Sequence, residues 1–219
     1  MRDHSLIVLS FVHLALMVAI AWVGWSTLPA GTMLPIHWSA AGTADHFAEA
    51  ATALFVPVAV SAAISLVFAV LPYIEPMQVR MRDSAPLLET AWVGLLVTMT
   101  LVEITVAAPA FGLVLPATMP LFGAGALLVV IGNALPKSRP GFFVGIRTPW
   151  ALLDTDNWIA THRLGSRTMM AAGVVIALAA GLSLDAGVRA ILVKAAIAGA
   201  VVPPIVYSWW RWRRRVDLP

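Results

Sequence analysis

Cysteine is missing from the 219 residues, which removes disulfides, thiolate metal sites and cysteine nucleophiles together and leaves the redox state of the compartment unread. Charge is nearly as scarce. Asp, Glu, Lys and Arg make up 11% of the chain, against about 25% in a soluble globular protein. Apolar residues make up 60%, and mean hydropathy is +0.89. That balance excludes a water-soluble fold, a disordered chain and a coiled coil. Dense basic runs interleaved with stacking aromatics are also lacking, so the pI near 10.0 reflects where a few arginines sit, and direct nucleic-acid binding is not expected. What the chain does have is nine Trp and fifteen Pro. Both suit a protein whose solvent is lipid, where aromatics collect at the interfaces and Pro is tolerated within helices.

Six apolar runs are long enough to cross a hydrocarbon layer of about 30 Å at about 1.5 Å per helical residue. They lie near Leu6 to Leu28, Thr52 to Leu71, Ala91 to Ala110, Ala117 to Leu135, Thr168 to Leu184 and Val188 to Trp210. The first is followed by a Pro- and Trp-rich stretch without a small-residue cleavage pattern, and reads as a retained helix. The expected fold class is therefore all-α, an integral membrane helical bundle of about six transmembrane helices. Two halves, residues 1–110 and 111–219 with three spans each, are expected to form one structural unit.

Orientation follows the basic residues, which cytoplasmic loops retain. Six spans place both termini on one side. With that side cytoplasmic, Arg2, Arg80, Arg82, Lys137, Arg139, Arg147, Arg163, Arg167, Arg211, Arg213, Arg214 and Arg215 all fall inside, leaving only Arg189 and Lys194 near the outer face. Trp209, Trp210 and Trp212 beside the last arginines fix the final helix at the inner headgroups.

Two loops are long enough to hold a site. In the outer one, after the first span, the chain reads Leu34-Pro35-Ile36-His37-Trp38, with Gly42, Asp45 and His46 beyond. Pro35 pushes Leu34 towards extended backbone and Gly42 permits a turn, so a structured extended loop is expected. Asp45 is expected to cap the helix that carries Phe47 into the second span. His37, Asp45, His46 and Glu49 offer N and O ligands, with His46 and Glu49 three apart on a helical face. They lack the tight i, i+4 histidine pair of helical zinc motifs, so neither a metal nor another cofactor is expected. The stretch carrying Pro35, His37, Trp38, Gly42 and Asp45 resembles an N-terminal domain of uncharacterised function found in SdpI-type membrane proteins.

The inner loop is richer. Gly145-Ile146-Arg147-Thr148-Pro149-Trp150 is followed by Trp158, Thr161, His162 and Arg163. Gly145 allows an unusual backbone angle, Pro149 keeps Thr148 out of helix, and Asp154 or Thr155 can cap a short helix from Asp156 to about Leu164. Trp158 and His162 share one face of it. That amphipathic helix is expected to lie along the inner interface, Trp158 and Ile159 dipping in and Arg163 and Arg167 reaching phosphate, before the fifth span starts. Arg147 can fork hydrogen bonds to helix-end carbonyls or to an acidic partner. Together these ten residues closely resemble the C-terminal signature of the SdpI family.

Ionisable residues within spans are functional candidates by default. His13 lies in the first span and Glu103 in the third, and Lys194 sits near the outer start of the last. A structural ion pair between Glu103 and Lys194 is the favoured expectation, with a proton or ion pathway as the alternative.

The family resemblance implies a multi-pass immunity protein of the bacterial inner, or plasma, membrane. Such a protein protects its cell from a membrane-active peptide toxin and in some members also holds a cytoplasmic repressor. The partners expected are thus the bilayer, a peptide toxin outside and a repressor inside. No catalytic set is found, so no enzymatic activity is expected. A small transporter or channel using Glu103, His13 and Lys194 is one alternative, and a metal-dependent membrane enzyme built on His37, Asp45 and His46 is another.

Overall fold

In the computed structural model, which describes residues 2–76 and 78–216, the expected runs fold as helices. They are α1 (Arg2–Thr27), α2 (Ala50–Ile74), α3 (Gln78–Ala107), α4 (Met119–Ala134), α6 (Thr155–Gly181) and α7 (Ala186–Val216), with a short α5 (Pro149–Leu153) before α6. Six of these are long and apolar enough to cross a membrane. Their apolarity is spread round the helix, as expected where lipid and neighbouring helices are equally apolar. Prolines sit inside α2 (Pro57, Pro72), α3 (Pro86) and α7 (Pro203, Pro204).

Small residues set how closely the helices pack. A Cβ at Gly125 of α4 would lie 2.7 Å from the Gly173 carbonyl oxygen and the Ala177 amide of α6, and one at Gly173 would lie 2.5 Å from the Gly125 oxygen. The two backbones touch, the arrangement that gives apolar helices their dispersion contacts when no hydrophobic driving force separates protein from solvent. At the other side of the bundle, Ala21, Leu34, Ala50, Ala53, Leu54, Val106 and Ala107 bury a core between α1, α2, α3 and the chain that follows α1.

That chain departs from an all-α fold. It forms an antiparallel hairpin, β1 (Met33–Trp38) and β2 (Ala44–Glu49). Asp45 and His46 therefore lie on a strand and cap no helix, and His46 and Glu49 share no helical face. The first helical residue of α2 is Ala50, and Glu49 at its N-cap makes no side-chain capping bond.

Two further expectations are corrected. The short helix expected from Asp156 to about Leu164 is not separate from the fifth span, because Asp154 caps a single α6 that runs unbroken from Thr155 to Gly181. Trp158 and His162 are 0% and 1% exposed: the polar stripe that suggested an interface faces protein. Nor do Glu103 and Lys194 pair. Glu103 is wholly buried with both carboxyl oxygens lacking a hydrogen-bond partner, and Lys194 is exposed.

One end of the bundle gathers the hairpin, the α3–α4 connection and the α6–α7 turn. Thr27 donates to the Ala110 carbonyl at 3.5 Å, and the tip of the hairpin lies against Thr118. The opposite end gathers the end of α2 at Glu75, the first turns of α3 and residues 138–154.

Candidate functional site

Residues 138–148 close onto the start of α6, and Gly145 is the pivot. Its φ of +114° belongs to the region that side chains avoid, and a Cβ there would lie 2.5 Å from His162 Nε2 and 2.7 Å from the Trp158 ring. The backbone can press flat onto these two rings only as glycine. They stack on each other at 4.0 Å between centroids.

The next amide fixes the state of His162. Ile146 N–H donates to His162 Nε2 at 2.8 Å, and Nδ1 meets the Trp158 carbonyl at 2.8 Å. Nε2 therefore accepts while Nδ1 carries the proton, and both nitrogens are committed. Trp158 Nε1 donates to the Ser138 carbonyl at 3.3 Å. His162 is thus a docking post for the loop.

Further bonds hold the loop from the other sides. Glu75, 2% exposed, accepts from the Phe142 and Phe143 amides at 3.0 Å each, one per carboxyl oxygen. Ser84 of α3 accepts from Arg139 N–H at 2.9 Å. Thr148, extended at φ −74°, ψ 147°, caps α5 by accepting from Ala151 N–H, and its hydroxyl meets Ser208 of α7 at 2.6 Å. Asn157 donates to the Ser208 carbonyl at 2.9 Å and accepts from Thr161 at 3.1 Å. A buried network fully satisfied in this way specifies a unique packing, because each unpaired member in a low-dielectric interior costs more than its bond returns. Arg215, near the end of α7, bonds to Asp154 and to Asp156, the latter at 2.9 Å.

The sequence motif therefore divides. Gly145, Thr148, Trp158, Thr161 and His162 are consumed inside the latch. Arg147 is exposed, with one bond to the Phe142 carbonyl at 3.0 Å, and Arg163 is exposed as well. Phe142 and Leu153 stand 54% and 86% exposed. Ile146 and Trp150 are half-buried, Trp150 against Trp212 at 6.0 Å. Beside them Arg214 lies 4.0 Å over the Trp210 ring and Arg213 5.4 Å over Trp209, an aromatic and basic collar of interfacial type.

The unit from the start of the loop to Ser208 of α7 also carries a family signature. Residues 137–208 match the SdpI/YfhL protein family. The SdpI/YfhL stretch begins just ahead of the loop and ends at the serine whose hydroxyl and carbonyl close the buried network. Beyond it, the chain is 23% identical over 145 residues to the immunity protein SdpI of Bacillus subtilis (strain 168), covering 66% of this chain and 67% of that protein. No solved structure matches the chain. With six membrane-capable helices, this SdpI-like chain is a multi-pass bacterial membrane protein.

At the hairpin end, His37 Nδ1 lies 2.6 Å from Asp45 Oδ1, and His46 Nδ1 lies 3.2 Å from the same oxygen. The His37 hydrogen bond, helped by His46, holds the Asp45 carboxyl below the usual carboxylate range. Pro35 pairs across the strands with Phe47, and Trp38 with Ala44. Gly42 turns the hairpin at φ +73° with Thr118 so close that a Cβ would lie 2.7 Å from it.

Three residues act as anchors, a role not expected for any of them from sequence. Glu75 sits where α2 ends, and its acid-then-proline context was the available signal. Arg189 donates to the carbonyls of Ala41, Ala179 and Leu184 at 2.9, 2.9 and 3.1 Å, tying the hairpin tip to the α6–α7 turn. As one of two basic residues on a side that otherwise excludes them, it stood out. Ser208 gave no signal at all.

Proposed function

We propose that this SdpI-like protein is an immunity protein of the bacterial plasma membrane, shielding its cell from a membrane-active peptide toxin without enzymatic turnover. The observation that carries the reading is the SdpI/YfhL match over the latch and the last two spans, supported by the immunity function in the name of the Bacillus subtilis relative. The concentration of basic residues at the latch end supports a cytoplasmic latch and an outer hairpin. The hairpin, with exposed Phe47, His37 and His46 at the membrane rim, suits an amphipathic peptide. Phe142, Arg147 and Leu153 form the surface a cytoplasmic repressor would meet. His162, with both nitrogens bonded internally, is unsuited to acid–base work.

The test is survival and membrane potential of sensitive bacteria exposed to such a killing peptide. Cells carry wild type, Arg147→Ala or His37→Ala at matched membrane levels. Wild type is expected to preserve the potential. Whichever exposed residue meets a partner loses about tenfold in protection on truncation. A wild type that inserts normally and protects against no peptide of this class ends the reading.

Glu103 favours a second reading, a proton or ion pathway. An unpartnered carboxyl inside a membrane bundle is costly enough to be kept for a use. His13 Nε2 meets Thr100 at 2.9 Å one turn away, and Ser10 and Ser65 add buried hydroxyls without hydrogen-bond partners further along α1 and α2. Ser10 and Ser65 line a cavity of about 240 Å³ with Trp92. Lys194, exposed on α7, takes no part in this seam. Proteoliposomes decide it: pH-driven proton flux that Glu103→Gln abolishes supports a pathway, and vesicles as tight as protein-free ones exclude it.

A further inference from the structure

The hairpin carries a feature that immunity does not require. One ring nitrogen each of His37 and His46 and a carboxylate oxygen of Asp45 lie within 4.8 Å of one another, with His37 Nδ1 and His46 Nδ1 at 2.6 and 3.2 Å from Asp45 Oδ1, on the exposed middle of a ribbon fixed at both ends. At the base, Ala50 N–H bonds to the Thr32 carbonyl at 2.9 Å. At the tip, Arg189 holds Ala41.

The strand register explains how three adjacent groups come to face one point. His37 pairs with His46 and Trp38 with Ala44, so Asp45 is an inserted residue on β2, and a second irregularity falls between Pro35 and His37. In a regular strand Asp45 and His46 would project to opposite faces. The bulge turns Asp45 to the side of His46, as bulges do where a strand must re-aim a side chain. The result is one carboxylate oxygen between two imidazole nitrogens of the same kind, with the rings edge to face at 5.4 Å.

We propose that this bulged hairpin binds one divalent transition-metal ion of the zinc type through His37 Nδ1, Asp45 Oδ1 and His46 Nδ1. Two imidazoles and a carboxylate are the donor set that such ions take. Three protein ligands leave a fourth position to water or to a ligand arriving from solvent. Metal-to-ligand distances of about 2.0–2.2 Å need the three atoms a little over 3 Å apart, so the His–Asp contacts of 2.6 and 3.2 Å open slightly while the two exposed rings adjust to bring their nitrogens to the same spacing. In the metal-free ribbon each Nδ1–H can donate to Asp45. On binding, the ion replaces those protons, and the ring protons transfer through solvent to the two Nε2 atoms. The rings are 61% and 69% exposed, so the ion enters without any opening of the bundle. The inference does not rest on the immunity reading.

The experiment uses the full chain, purified in detergent without a histidine tag. It is titrated with Zn²⁺ against a chromophoric chelator, and Co²⁺ is used for visible absorption. Wild type is expected to bind one equivalent and to give the intense d–d bands of a four-coordinate Co²⁺ site. His37→Ala, His46→Ala and Asp45→Asn are each expected to lose at least about tenfold in affinity, with helical circular dichroism unchanged because the hairpin stands outside the helices. His4→Ala, at the other end of the bundle, keeps wild-type binding. Zinc affinity no tighter in wild type than in the His37→Ala/His46→Ala double variant, or equal in His46→Ala and wild type, overturns the proposal.

Discussion

Gly145→Ala is expected to unlatch residues 138–148 from α6. An alanine at φ +114° carries backbone strain, and its methyl would enter a space where His162 Nε2 is 2.5 Å and Trp158 2.7 Å away. Neither ring can withdraw easily, since His162 is bonded at both nitrogens and Trp158 is wholly buried. Strain and overlap each cost about 1–3 kcal/mol. A total near 3 kcal/mol raises the open fraction about a hundredfold. Limited trypsin digestion of the purified protein, with cleavage after Arg147 followed by mass spectrometry, reads that fraction directly. Gly141→Ala in the same loop is the control, because its Cβ would meet only ordinary contacts at 3.6 and 4.0 Å. Equal cleavage rates for the two variants would show that Gly145 is not the pivot.

The second large effect is expected at Gly173→Ala. Here the obstacle is backbone: the Gly125 oxygen at 2.5 Å and the Val129 amide at 2.8 Å. A rotamer change cannot relieve such an overlap, so α4 and α6 must move apart and lose dispersion contacts along their shared length. A loss of about 3 kcal/mol is the expected scale, seen as a lower thermal transition in detergent and reduced membrane levels. Gly199→Ala provides the contrast. Nothing lies within 4 Å of a Cβ there, so the change is expected to be neutral or to stabilise α7 by up to about 1 kcal/mol through helix propensity. Equal transitions for Gly173→Ala and Gly199→Ala would sink the close-packing argument.

The span count was legible because a run of about twenty apolar residues has few other uses. The cap at Asp154 and the extended Thr148 before Pro149 followed from local chemistry alone. Polar residues within or beside spans were harder. Asn157, Thr161 and His162 form a polar stripe that a soluble or interfacial helix would turn to water, whereas in this bundle the stripe is where α6 meets the loop and α7. Amphipathicity shows that two faces differ, and leaves open which one is wet. The hairpin escaped recognition as strands because its six-residue segments are short, largely exposed and bulged. Its bulge also brought three of the four noted ligand candidates together without any helical spacing. Glu103 and Lys194 were matched by depth alone, and depth says nothing of which side of a helix a residue occupies.

Arg189 and Ser208 share one consequence. Both belong to α7, nineteen residues apart, or about 28 Å along a helix. Arg189 grips the hairpin tip, while Ser208 sits in the network of Thr148 and Asn157 at the far end. The helix is thus a crossbeam joining the two faces of the bundle, and a load that tilts it at the hairpin is delivered to the latch. Pro203 and Pro204, just short of Ser208, place the beam's weakest bending point beside the joint that receives the load.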